Sequence, residues 1–174
     1  MIVDVDYNTI CTLIDWILSN RPNKKEFTIL INSTGGEPDI INYFVSFLST
    51  LSKEVKIKGV AFGQCGSAAM ALFQCCHERI AVKNCGFFIH HVQVDLGFSC
   101  QKTLKQLNVQ LRLDSARSTE ESLVTLQAKR CGMSRAKWMK LADLGEEKRS
   151  RAILPSEALK LGLIDKIVDY YPLF

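Results

Sequence analysis

Gly63-Gln64-Cys65-Gly66-Ser67-Ala68-Ala69-Met70 sets one hydroxyl among small residues, between the apolar run Gly59-Val60-Ala61-Phe62 and the helix-like Ala71-Leu72-Phe73. The order predicts a strand, a tight turn and a helix. A serine at such a turn has open space beside it. The helix start behind it offers backbone N–H groups without intrahelical acceptors, which suit developing negative charge. Ser67 therefore reads as a nucleophile, and the competing reading is a serine that caps a buried helix.

Two further stretches bear on that choice. Phe27-Thr28-Ile29-Leu30-Ile31-Asn32 has the β-branched, apolar character of a buried parallel strand and runs into Ser33-Thr34-Gly35-Gly36, where a glycine pair lets bare backbone approach a ligand. Gly86-Phe87-Phe88-Ile89 is a third strand candidate and stops at His90-His91. Three strand ends thus supply a hydroxyl, exposed N–H groups and an imidazole, at the sheet edge where open α/β folds build their sites.

Ile31-Asn32-Ser33-Thr34-Gly35-Gly36, Gly63-Gln64-Cys65-Gly66-Ser67, Phe88-Ile89-His90 and Ser156-Glu157-Ala158 with Gly162-Leu163-Ile164-Asp165 follow one another along nearly the whole chain. In order and in the spacing of the first three blocks, they resemble the signature of the proteolytic subunit of the Clp protease (ClpP). The resemblance implies an α/β fold, a ClpP/crotonase-like spiral of ββα units with a long protruding handle helix. It also implies a serine endopeptidase that cleaves peptides or unfolded proteins inside a homo-oligomeric ring or stacked rings. The wider group with this spiral includes signal-peptide peptidases, phage head-maturation proteases and enoyl-CoA hydratases. Members of the Clp family meet an ATPase chaperone through an amino-terminal segment. This chain begins too late to carry that segment, so the contact is expected to be made differently or not at all.

The resemblance assigns Ser67 as nucleophile and His90 as base, with the N–H groups of Gly36 and Ala68 as oxyanion donors. His91 competes for the base. In an alternating strand His90 and His91 face opposite ways, so only one meets Ser67. The orienting acid stays open. Counting back from Gly162 the family's aspartate falls on Ser150, and counting forward from Gly132 it falls near Gly145, which leaves Asp143, Glu146 and Glu147 as candidates. Ala68 stands where the Clp family usually has Met, a lean toward the phage and signal-peptide peptidase relatives. The GxSxG elbow of hydrolases is not satisfied, because Cys65 and Ala69 occupy its glycine positions.

A chain of 174 residues with 47% hydrophobic content suits a single domain, 1–174, with one core. The net charge of +4 is mild and spread out, which gives nucleic-acid binding no support. No charged-then-apolar leader and no membrane-length apolar run occurs, so a cytoplasmic protein without a membrane partner is expected. The seven cysteines are scattered and suit reduced thiols. Cys65, two residues before Ser67, is expected to line the site or be modified there. Cys75-Cys76-His77 lacks chelating spacing, and neither metal nor cofactor is expected.

Along the chain, Ile2 to Val5 reads as a short strand and Asp6 as the cap of a helix carrying Ile10, Leu13, Ile14, Ile17 and Leu18. Pro38 and Asp39 open a second helix. Val55 to Ala61, Arg79 to Val82 and Ile164 to Val168 read as strands, the last preceded by a short helix from Pro155. The span 99–131 is free of Pro and Gly until its end and reads as the handle helix, at about 1.5 Å per residue too long for a domain of this size to cover. Its polar middle, Arg112 to Ser122, would be marginal alone in water. Ser134 begins a helix with Trp138, Met139 and Leu141, and the charged Gly145 to Ser150 reads as a loop. Two rival functions share these features: a catalytically weak or inactive ClpP-like subunit, and a crotonase-type acyl-CoA enzyme that uses the glycine-turn oxyanion hole without a Ser-His pair.

Overall fold

The structure, a computed structural model, describes residues 2, 4–51, 53, 55–93, 105–147 and 152–171. Helix α1 (Tyr7–Asn20) opens on Asp6, whose carboxylate accepts the Thr9 N–H at 2.7 Å, and buries Ile10, Leu13, Ile14 and Ile17 on one face. Strand β1 (Glu26–Ser33) buries every second residue, Phe27, Ile29, Ile31 and Ser33, while the residues between them on its other face are half-covered. Helix α2 (Asp39–Thr50) starts just after Pro38 and packs Ile40, Ile41 and Phe44 inward. Each such fully buried side chain contributes about 1.5–3 kcal/mol.

Strand β2 (Lys56–Gly66) is the longest strand among the described residues and leads directly into helix α3 (Ser67–Gln74). The tight turn expected over Gly63 to Gly66 is instead an irregular continuation of the strand. The register with β1 moves from Ile31↔Ala61 to Ser33↔Cys65, so β2 carries two extra residues at that point, and the Asn32 side chain accepts the Gln64 N–H at 3.0 Å. Ala68 through Gln74 are all buried, so α3 runs through the core rather than over it.

Strands β3 (Glu78–Val82), β4 (Gly86–Phe88) and β5 (Lys166–Val168) complete one parallel sheet, ordered β1-β2-β3-β5 with β4 paired to β2. Lys58 to Ala61 of β2 pair with β3, whereas Gln64 to Gly66 pair with β4. The bend in β2 thus hands it from one neighbour to another. Within the expected amino-terminal strand, Ile2 and Val5 form isolated bridges, Ile2↔Ile31 and Val5↔Gly36, and residue 3 lies outside the described residues.

Helix α4 (Lys105–Arg130) is the expected long helix, with 99–104 of the predicted span outside the described residues. Its second half buries Thr119, Leu123, Val124, Gln127 and Ala128, while no residue from 109 to 118 is buried. Helix α5 (Arg135–Glu147) extends past Gly145, which corrects the predicted loop start; 148–151 lie outside the described residues. Helix α6 (Pro155–Lys160) has its proline in the first turn. Among the described residues no helix is long and apolar enough to cross a membrane.

A charged network missing from the sequence reading ties β3 to the segment after α6. Arg79, 4% exposed, holds both oxygens of Asp165 through Nε (3.0 Å) and Nη2 (2.5 Å), and its Nη1 donates to Gln74 Oε1 (2.5 Å) and the Gly162 carbonyl (2.9 Å). Burial alone would push the Asp165 carboxyl up. The Arg79 hydrogen bonds and charge outweigh that and hold it below its usual value.

Candidate active site

Three parallel strand ends meet because their registers interlock. Ser33 of β1 pairs with Cys65 of β2, and Gly66 of β2 pairs with Phe88 of β4, so the residues that follow each strand leave the sheet side by side. Thr34, Gly36, Ser67, Ala68, His90 and His91 all border one cavity of about 280 Å³. Met70 of α3, Leu123 and Val124 of α4, and Trp138 and Ala142 of α5 form its apolar wall.

Ser67 has φ 51°, and it is the non-glycine residue with a positive φ among the described residues. The left-handed region is costly for a residue with a Cβ, and strain of this kind collects at functional sites. The strand-to-helix elbow therefore exists without the GxSxG pattern. Room for the Ser67 side chain comes from another chain segment: a Cβ on Gly35 would lie 2.6 Å from Ser67 Cβ and 3.1 Å from its Oγ. Gly35 and Gly36 themselves take φ 130° and 148°, which a side chain would resist. The turn is held from within by buried Ser33, whose Oγ accepts the Gly35 N–H at 3.1 Å and donates to the Gly35 carbonyl at 3.2 Å.

Gly36, on the glycine turn, and Ala68, in the first turn of α3, both border the cavity, and neither N–H has a backbone acceptor across the fold among the described residues. Beside Gly36, Val5 accepts from Glu37 N–H at 2.7 Å and donates to Gly35 at 3.0 Å, which pins the turn on its outer side.

β4 ends at Phe88, so strand alternation lapses before the histidines and both border the same cavity, contrary to the opposite-face expectation. His90 Nδ1 lies 2.5 Å from the His91 carbonyl oxygen. A carbonyl only accepts, so Nδ1 carries the hydrogen and Nε2 is the nitrogen with a free lone pair in the neutral ring. Among the described residues Ser67 Oγ makes no hydrogen bond to His90.

The three acid candidates separate. Asp143 Oδ1 lies 2.8 Å from His91 Nε2, not against His90. Glu146 and Glu147 belong to the last turn of α5, and their side chains lie outside the described residues. An acid that the sequence did not mark, Glu120 of α4, places Oε1 2.8 Å from His91 Nδ1 and 3.1 Å from the Val92 N–H. Nothing in the local sequence distinguishes it from the other polar residues of that helix. Next to it, Thr119 donates to the Asp39 carboxylate and so joins α4 to α2.

Cys65 does not line the cavity. Its side chain is fully buried on the core side of β2, and burial, then the neighbouring Cys85 and Cys76, push the thiol well above its usual value, which makes it inert rather than modifiable. His77 serves the backbone, accepting the Ile57 N–H at 3.1 Å.

A model of the Clp protease family matches residues 2–171. A solved structure of a ClpP1 mutant from Listeria monocytogenes matches with a TM-score of 0.72 over 96% of this chain and 88% of its own, at 16% identity. At that identity the likeness is one of fold. Among curated proteins, none matches the sequence.

Proposed function

Since the chain belongs to the Clp protease family, we propose that it is a serine peptidase that cleaves peptides or unfolded chains within an oligomeric chamber. Ser67 Oγ attacks the substrate carbonyl and His90 Nε2 takes its proton. The Gly36 and Ala68 N–H groups stabilise the oxyanion, and His90 returns the proton to the leaving amine before water repeats the cycle on the acyl-enzyme. No metal or cofactor takes part. The observation that carries this reading is the β2–β4 register, Gly66↔Phe88, which leads the strained Ser67 and the His90 segment into one cavity.

The expected outcome is that Ser67→Ala and His90→Ala each lower hydrolysis of short fluorogenic peptides by about 10³-fold or more while assembly is retained. Undiminished turnover in either variant rejects the assignment.

One observation favours a second reading, a feeble or non-catalytic subunit: no carboxylate contacts His90 directly among the described residues. A fluorophosphonate probe separates the two. Labelling at Ser67 supports the peptidase, and an unlabelled native protein supports the non-catalytic subunit.

A further inference from the structure

We infer that Glu120 is the acid that orients His90, and that it acts through the peptide group between His91 and Val92, clamped in place by the His91 ring and Asp143. The inference rests on the peptidase reading. A planar trans peptide points its C=O and N–H in opposite directions. The carbonyl of this peptide takes the His90 Nδ1 hydrogen bond at 2.5 Å, and its N–H donates to Glu120 Oε1 at 3.1 Å. Carboxylate, peptide and imidazole therefore form one hydrogen-bonded chain. Each link polarises the next, and a negative acceptor on the N–H makes the carbonyl a better acceptor for Nδ1.

The peptide is held against rotation by the side chain that precedes it. The His91 ring lies between Glu120 Oε1 and Asp143 Oδ1, each at 2.8 Å, so helices α4 and α5 grip it from two sides. Both ring nitrogens donate to their carboxylates when the ring carries both N–H hydrogens, and two carboxylates around one such ring leave the cluster net negative. It thus supplies, one peptide removed, the charge that a triad acid supplies by direct contact. Glu120, His91 and Asp143 are positioning residues in this scheme, since none of them contacts the reacting atoms.

The test compares Glu120→Ala, Glu120→Gln, Asp143→Asn and the Glu120→Gln/Asp143→Asn double variant with the parent protein, in peptide hydrolysis and fluorophosphonate labelling of Ser67. Glu120→Ala removes both the charge and the acceptor, and is expected to lower kcat by about 10-fold or more with KM within about twofold. Glu120→Gln keeps an oxygen for the Val92 N–H and is expected to recover part of that loss. The two conservative changes should combine less than multiplicatively, because they act on the same ring. Asp143 is 59% exposed, so its replacement leaves folding intact and keeps the test available if Glu120→Ala does not fold. Independently of activity, 15N shifts of the His90 ring should report the Nδ1–H tautomer in the parent.

A double variant that retains kcat within about twofold of the parent, or a loss carried by KM alone, overturns the inference and leaves the peptidase reading standing. An Nε2–H tautomer of His90 does the same. A parent protein whose Ser67 fails to label overturns the peptidase reading and this inference with it.

Discussion

Ser67 holds a conformation that an isolated serine would leave. A φ of 51° costs about 1–3 kcal/mol and persists only where neighbours over-determine it. Here the pairing of Gly66 with Phe88 fixes one side, α3 fixes the other, and Gly35 leaves the only space the side chain needs. Gly35→Ala would strain the turn and press a methyl group against Ser67 Cβ. It is expected to lower Ser67 labelling by about 10²-fold or more, comparable to losing an oxyanion donor, together with a thermal midpoint several degrees lower. Wild-type labelling rates in Gly35→Ala would show that the turn does not support the serine. Ser33 works on the same turn from inside the core, through two hydrogen bonds to one glycine.

At the scale of elements, β2 determines the site by changing partners. Its first half belongs to the sheet centre, beside β3. Its second half, after the two-residue slip, pairs with β4 and delivers the serine to the histidine loop. The β3 half depends in turn on the Arg79 network. Arg79→Ala leaves Gln74, the Gly162 carbonyl and Asp165 without their shared donor and is expected to cost on the order of 3 kcal/mol, read as a lower denaturation midpoint at unchanged slope. The network also sets an acid limit. Burial opposes ionisation of Asp165, but the Arg79 hydrogen bonds and charge prevail and hold its pKa below the ordinary carboxylate value. A depressed carboxylate contributes stability that is complete above its unfolded value and is withdrawn as pH falls through the folded one. The parent should therefore lose stability below about pH 4, and Asp165→Asn should flatten that part of the profile. Equal acid sensitivity in the two proteins would remove Asp165 from the account.

On the scale of the whole molecule, residues 109–118 of α4 are left largely uncovered. No residue of 109–118 is buried within the chain, only Val109, Leu113 and Ala116 of that span are partly covered, and Leu111 is 58% exposed. Isolated polar helix of that length is marginal in water, so a second copy of the chain is the expected support. Leu111→Asp should shift the mass measured by light scattering toward smaller species, with helical content reduced in the same sample. A monomeric parent of full helicity would instead show that α4 stands alone. The same helix reaches the cavity through Glu120, Leu123 and Val124, so the covering of its far half and the shape of the site share one rigid body.

The sequence by itself determined the apolar strand runs, the capped helices, the parallel α/β class and the three strand ends that carry a glycine pair, a serine and a histidine. Those are local properties, written in periodicity and in residues with restricted backbone freedom. Only the tertiary structure decided the rest. The slip in β2, the positive φ of Ser67, the inward face of Cys65, the shared cavity of His90 and His91, and the contacts of Glu120 and Asp143 depend on partners 29 to 52 residues away for the histidine cluster and on inter-strand register for the serine. No periodicity encodes such pairings, because hydrogen bonds and charges act through space, and which groups share a space is fixed when the strands settle into register.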